Sequence, residues 1–200
     1  MPDLLLELFS EEIPARMQTR AANDLKKLVT DGLVKSGLTY ASAEAFSTPR
    51  RLTLVVDGLL AESPMIVEER KGPRVDAPEK AIEGFLRGGG LTRDQLDVRD
   101  EKKGQVYFAR IEKAGRAAPI IAAEVITDAI RNFPWPKAMR WGTGELRWVR
   151  PLHSILCVLS DEAGSEVVPF DVDGIAANNT TEGHRFRGTG RFFVTDFDDY

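Results

Sequence analysis

The chain has 200 residues, of which 42% are hydrophobic and 29% are charged, and its formal net charge is −4. This length suits one large domain or two small ones, and the composition is that of a globular protein. Because the chain is acidic overall, bulk charge does not make it a nucleic-acid binder, and any such contact has to come from a local basic patch.

The cysteine, the histidines and the N-terminus narrow the class of protein further. Cys157 is the only cysteine, which excludes an intrachain disulfide and fits a reducing compartment. The chain has two histidines in addition to this cysteine, which leaves few ligands for a zinc site. We predict that it holds no metal ion and no cofactor. The N-terminus has no basic region before its short apolar run, unlike a signal peptide, and no apolar stretch approaches the roughly 20 residues that span a bilayer. We therefore expect a cytoplasmic protein without membrane contact.

The first third of the chain predicts a strand, a long helix and a second strand. Residues 4–9 are nearly all apolar and predict a buried strand. Apolar residues recur at steps of three and four through residues 14–35, which predicts an amphipathic helix that Gly37 ends. The β-branched run at 51–56 predicts the next strand.

The middle of the chain is more charged and predicts a short helix followed by a hairpin. The helix begins at Pro78 and ends at the glycines 88–90. Thr92 and Gln95 have the capping-box spacing of one further helical turn. Residues 105–111 predict a strand that forms the second arm of the hairpin.

The last part of the chain predicts a second long helix and then strands. The helix covers residues 119–132, where apolar residues again recur at helical spacing. The strands predicted after it cover residues 146–149, 154–159 and 167–172.

Helices and adjacent strand pairs are intermixed along the chain. This order predicts an α+β fold in which two long helices pack on a mixed, largely antiparallel sheet, with a small helix-plus-hairpin inserted lobe. We assign residues 1–60 and 116–200 to the main domain and residues 61–115 to the inserted subdomain. The chain ends without a terminal helix, and we expect it to be a fragment of a longer subunit.

The candidate catalytic groups have simpler structural explanations. Glu7, Glu11 and Glu12 form a cluster of carboxylates, but Glu11 and Glu12 lie just before the first helix, where acids stabilise the positive end of the helix dipole. Cys157 lies in an apolar strand, where cysteine behaves as a small hydrophobe, and His153 is too far along that strand for a direct hydrogen bond. No Walker A, GxGxxG or GxSxG string is present. We therefore predict no catalytic residue.

Basic and aromatic residues are concentrated in two segments. Residues 131–151 hold all three tryptophans and five basic side chains against one acid, and residues 183–193 hold three arginines among phenylalanines. Arginine binds phosphate and stacks on bases, and aromatic rings provide stacking surface. We favour a core role for the tryptophans, whereas the cations are as consistent with a binding patch as with ordinary surface. Two further arginines lie at the start of the strand predicted at 51–56. The candidate RNA- or partner-binding residues are Lys137, Arg140, Arg147, Arg150, Arg185, Arg187, Arg50 and Arg51.

Seven strings in register resemble the β subunit of bacterial heterotetrameric glycyl-tRNA synthetase. They are LLLELFSEEIPARM, FSTPRRLTLVVDGL, ERKGP, AxxGFxRG leading into GLT, PKAMRWG, RWVRPLHS and GHRF. The resemblance covers essentially the whole chain and implies the N-terminal portion of a longer β subunit.

The resemblance also implies that the α and β subunits of the enzyme have different roles. Enzymes of this type are α2β2 tetramers that attach glycine to tRNA(Gly), and the α subunit holds the catalytic core that binds ATP and Mg. The β subunit is needed for tRNA binding, and its anticodon-binding region lies beyond Tyr200. The chain is then an inactive portion of an aminoacyl-tRNA synthetase that supports tRNA binding and assembly with the α subunit. The alternative is a structural scaffold within that subunit with no direct tRNA contact.

Overall fold

A computed structural model describes residues 1–101, 104–183, 188 and 190–200. The chain divides into a larger unit, residues 1–63 with 116–200, and a smaller unit, residues 64–115. Helices and mostly antiparallel strands occur in both, so the predicted α+β class is confirmed.

The helices and strands follow one another in an irregular order. A 3-10 turn, Arg93–Gln95, precedes β5. In chain order the other elements are β1 (Asp3–Ser10), α1 (Ala15–Lys35), β2 (Ser42–Thr48), β3 (Arg51–Asp57), β4 (Ile66–Arg74), α2 (Glu79–Gly89), β5 (Leu96–Glu101), β6 (Gly104–Lys113), α3 (Ala118–Arg131), β7 (Leu152–Asp161), β8 (Gly164–Val167), β9 (Asp171–Val172), β10 (Ile175–Asn178), β11 (Thr180–Glu182) and β12 (Arg191–Phe193).

One sheet organises the larger unit. Its described strands lie in the order β2-β3-β1-β7-β10-β9, and β8 also pairs with β7. The central strand β1 is antiparallel to both β3 and β7, whereas β10 is parallel to β7, which makes the sheet mixed. Glu7 lies opposite Thr53 of β3 and Leu156 of β7 in this register.

Both faces of the central strand are covered. Leu4, Leu6 and Leu8 belong to the main core, which also contains the apolar stripes of α1 and α3. Leu5, which alternates with these three along the strand, belongs to a smaller apolar cluster. That cluster includes Val194 near the end of the chain. Because successive side chains of a strand point to opposite faces, a strand buried on both faces reads as the continuous apolar run that predicted β1.

The two long helices approach each other closely. A Cβ atom at Gly32 of α1 would lie 2.6 Å from Cγ1 of Val125 on α3, so the absence of a side chain allows this contact. The helix α1 ends at Lys35, as predicted, and Gly37 follows with a φ of 88° that favours glycine.

The smaller unit is a three-stranded antiparallel sheet in the order β4-β6-β5, with α2 packed against β4. The capping box at Thr92 and Gln95 is present, and β5 and β6 form the predicted hairpin. Gly90 ends α2 in the left-handed conformation.

Two predicted strands are wrong. Residues 146–149 contain only an isolated bridge from Trp148 to Met139, because the surrounding prolines and glycines favour a loop. Residues 167–172 are not one strand: β8 ends at Val167, and Pro169 cannot donate to a ladder. The edge strand β2 was not predicted, since its sequence SAEAFST is mostly small and polar.

Candidate nucleic-acid interface

Residues 133–151, called here the basic loop, connect α3 to β7 and pack on an aromatic cluster. The ring centroid of Phe133 lies 4.7 Å from that of Trp135 and 4.8 Å from that of Trp148. Trp135 and Trp148 meet edge to face at 4.9 Å. Trp148 is fully buried, while Trp135 and Trp141 are half-buried against the main core. The core role favoured for the tryptophans is thus confirmed for Trp148, whereas Trp135 and Trp141 are only partly buried, and the cluster holds both ends of the loop.

A carboxylate from a distant turn anchors the middle of the basic loop. Asp173 accepts hydrogen bonds from the backbone N–H groups of Glu145 at 3.2 Å and Leu146 at 3.1 Å. The hydrogen bond from Leu146, followed by that from Glu145, lowers the pKa of the Asp173 carboxyl. Asp173 lies in the turn between β9 and β10, where its φ angle is 59°. Gly144 lies against this carboxylate, where a side chain would clash.

The predicted cations of the basic loop all lie at its surface. Lys137, Arg140, Arg147 and Arg150 are exposed. Arg150 donates to the carbonyl of Val149 at 2.9 Å. Within the described ranges, none of the four forms an ion pair with an acid. Their charges are therefore available to a partner, while Trp148 and Asp173 fix the backbone that carries them.

Further cations that the sequence did not single out lie beside the loop. A cavity of about 240 Å³ is lined by Trp135 with Arg16 and Arg20 of α1. A second cavity, of about 480 Å³, is lined by Trp135 with Arg131, Lys137 and Arg147. The spacing of Arg16 and Arg20 places them on one helical face, but no sequence signal indicates that this face meets the loop.

Arg50 and Arg51 have partners within the chain. Arg51 donates from Nε to Glu7 Oε2 at 2.9 Å and from its terminal nitrogen to the carbonyl of Glu182. Arg50 donates to the carbonyl of Ser10 at 3.1 Å. Both guanidinium groups lie 4.6 Å from the centroid of Phe9. The two arginines line a cavity of about 650 Å³, and their role in binding a partner stays a prediction.

Sequence reasoning missed the buried acid network around Glu7. Thr181 donates to Glu7 Oε1 at 2.7 Å, and the hydroxyl of Tyr200 donates to Oε2 at 2.5 Å. Glu7 is fully buried. Burial, and then the charge of Glu7, raise the pKa of the Tyr200 phenol. A buried charge is costly unless it is paired and hydrogen-bonded, and this network meets that requirement. The first turn of α1 contains no acid, and the helix-dipole role of Glu11 and Glu12, which precede that turn, stays a prediction.

Cys157 and His153 have separate surroundings. Cys157 lies in the main core, where burial raises the pKa of its thiol. His153 pairs through Nε2 with Glu11 Oε1 at 2.8 Å, not with Cys157. In the part of the chain that the structure describes, no group of three or more His, Cys, Asp or Glu side chains could hold a metal ion. Across the same residues, no helix is both long and apolar enough to cross a membrane. Arg185 and Arg187 lie outside the described residues.

The fold and the basic loop define an α+β protein that presents an exposed cationic segment suited to phosphate contacts. Residues 4–200 match the model of a family described as glycyl-tRNA synthetase beta subunit. The chain belongs to this family, which confirms the resemblance seen in the sequence.

Curated relatives carry the same name. The chain is 72% identical to the glycine–tRNA ligase beta subunit of Cereibacter sphaeroides, 69% to that of Ruegeria sp. (strain TM1040) and 68% to that of Paracoccus denitrificans. All 200 residues are covered in each comparison, and the chain spans 29% of the length of each relative.

Proposed function

We propose that the chain is the N-terminal portion of a glycine–tRNA ligase β subunit and that its basic loop contacts tRNA(Gly). The observation that carries this proposal is the set of exposed loop cations without ion-pair partners among the described acids. The chain as a whole is acidic, with a net charge of −4. These cations therefore form a local basic patch to which an anionic partner can bind. Each phosphate that a cation neutralises releases counterions, so that the binding is salt-dependent.

The same proposal assigns the chemistry to the rest of the enzyme. Glycine activation with ATP and Mg takes place in the α subunit, and this portion supports tRNA binding and assembly of an α2β2 tetramer in the cytoplasm. The names of the relatives support the β-subunit assignment.

A structural scaffold is the second candidate function. One observation favours it: Arg50 and Arg51, two of the predicted binding residues, are held by Glu7, Ser10 and Glu182 of the same chain. In a scaffold, the loop cations would likewise meet acids of other parts of the subunit, and charge reversal at Arg140 would lower stability without changing tRNA affinity.

A titration of the full-length β subunit with tRNA(Gly) separates the two functions. We expect salt-sensitive binding at two ionic strengths, strengthened by the α subunit, and weaker binding of Arg140→Glu with an unchanged thermal unfolding midpoint. Binding that is insensitive to Arg140→Glu, together with a lowered midpoint, contradicts the tRNA contact and supports the scaffold. The β subunit alone should show no glycine-dependent ATP–pyrophosphate exchange, and exchange without α would overturn the assignment of chemistry to α.

A further inference from the structure

We infer that the two cavities beside Trp135 form one groove that binds an unpaired stretch of RNA, with a base against the indole and phosphates on both sides. The two cavities share Phe133, Trp135 and Pro136 as lining residues. This inference rests on the proposed function and adds the kind of RNA structure that the site selects.

The groove has a rigid aromatic floor. Trp135 packs against Phe133 and Trp148 at centroid distances of 4.7 and 4.9 Å, and Pro134 and Pro136 flank it in the chain. The prolines fix their φ angles and the ring contacts fix the side chain. Because the indole is already held in place, little conformational entropy is lost when a second ring packs against it.

Cations line both of the cavities that share this floor. Arg16 and Arg20 line one cavity, and Arg131, Lys137 and Arg147 line the other. All five side chains are exposed. Among the lining residues the acid is Asp24, which pairs with Arg20 at 3.5 Å. The lining thus carries a net positive charge even though the chain is acidic overall.

The cations together with the indole of Trp135 favour a single strand of RNA over a duplex or an acidic protein. Cations alone would attract any of the three. In a duplex, however, the base faces are stacked and only the phosphates reach such a surface, whereas an unpaired base can stack on an aromatic side chain. An acidic protein surface would meet the charges but would not require the indole. The position of Trp135 between the two cationic cavities therefore selects an unpaired nucleotide.

The test uses the full-length β subunit and a short oligouridylate that carries one photoreactive thiouridine. We expect Trp135→Leu to weaken oligouridylate binding about tenfold, the effect of losing one base–aromatic stack. Affinity for an RNA duplex should stay unchanged. Trp141→Leu is the matched control, because Trp141 is half-buried in the same loop but lines neither cavity. Wild-type protein should crosslink to the oligouridylate through the peptide that contains Trp135, a measurement that needs no variant to fold.

The outcomes separate this inference from the proposed function. Equal losses for Trp135→Leu and Trp141→Leu, or a duplex that competes as well as the single strand, overturn the unpaired-base groove while tRNA binding through phosphates stands. Crosslinking elsewhere in the subunit, or shielding of Trp135 by the α subunit without RNA, also overturns it. Absence of binding to both the oligouridylate and tRNA(Gly) overturns the groove and the proposed function together.

Discussion

Arg51 of β3 donates a hydrogen bond from Nε to the fully buried carboxylate of Glu7 on β1, at 2.9 Å. Thr181 and Tyr200 satisfy the same carboxylate. The network therefore joins the centre of the large sheet to residues near the end of the chain. Glu7 is the buried charged residue of β1, where Leu6 and Leu8 flank it, and Arg51 supplies the opposite charge that its burial requires.

Arg51→Ala should lower the free energy of unfolding by about 3 kcal/mol, because it leaves a buried carboxylate without its cation. The exposed pair Lys27–Asp31, one turn apart on α1, provides a control. Lys27→Ala should change the same quantity far less, because water screens an exposed ion pair. Urea denaturation of residues 1–200 measures both, and equal effects would show that Glu7 does not depend on Arg51.

Two helical glycines should respond in opposite directions to alanine. At Gly84 of α2 a Cβ would meet nothing within 4 Å, so Gly84→Ala should stabilise its unit by about 0.5–1 kcal/mol through helix propensity. At Gly32 a Cβ would lie 2.6 Å from Val125, and overpacking should cost about 1–3 kcal/mol and outweigh that gain. Denaturant midpoints of the two variants check the contrast, which fails if both shift the same way.

Asp173 should hold the basic loop in a pH-dependent manner. Backbone hydrogen bonds lower its pKa in the folded chain, so its stabilisation is fully present above the ordinary pKa of an aspartate and is lost as the pH falls through the lower, folded value. At neutral pH, Asp173→Ala should accelerate amide hydrogen exchange at Glu145 and Leu146, the two donors. Asp161→Ala removes the acceptor of Ala163 instead and should leave those two amides unchanged; acceleration by both variants would contradict a specific anchor.

Cys157 should resist thiol reagents in the folded protein. Its side chain is fully buried and burial raises the pKa of the thiol, so that both access and thiolate formation are suppressed at neutral pH. Peptide mapping after alkylation should find Cys157 unmodified in native protein and modified in urea. Rapid labelling under native conditions would show that β7 opens locally or that the thiol is accessible.

The sequence predicted the elements that have strong local patterns. The helix α1 followed from apolar spacing, and β1 from a continuous apolar run buried on both faces. The edge strand β2 was not predicted, because an exposed, mostly polar edge strand has no such pattern. Composition identified the loop cations, but Arg16 and Arg20 join them only through the tertiary packing of α1. The Glu7 network also depends on tertiary structure, since its partners are 44 to 193 residues away along the chain.

The basic loop also shows how a local pattern misleads. Residues 146–149 read as a strand because Leu146, Trp148 and Val149 are apolar. In the structure these three side chains are buried while Arg147 is exposed, but the stretch joins no ladder beyond an isolated bridge. The hydrogen bonds of this stretch go instead to Asp173 and Met139.

The salt dependence of tRNA(Gly) binding to the full-length β subunit tests the central claim most directly. The double variant Lys137→Glu, Arg147→Glu should bind more weakly than wild type, and the slope of log affinity against log salt should fall by about 2, one for each lost phosphate contact. Lys27→Glu with Lys35→Glu carries the same charge change farther along α1, on side chains that line neither cavity beside Trp135, and should keep the wild-type slope. Equal slopes for the two double variants would contradict a tRNA contact by the basic loop.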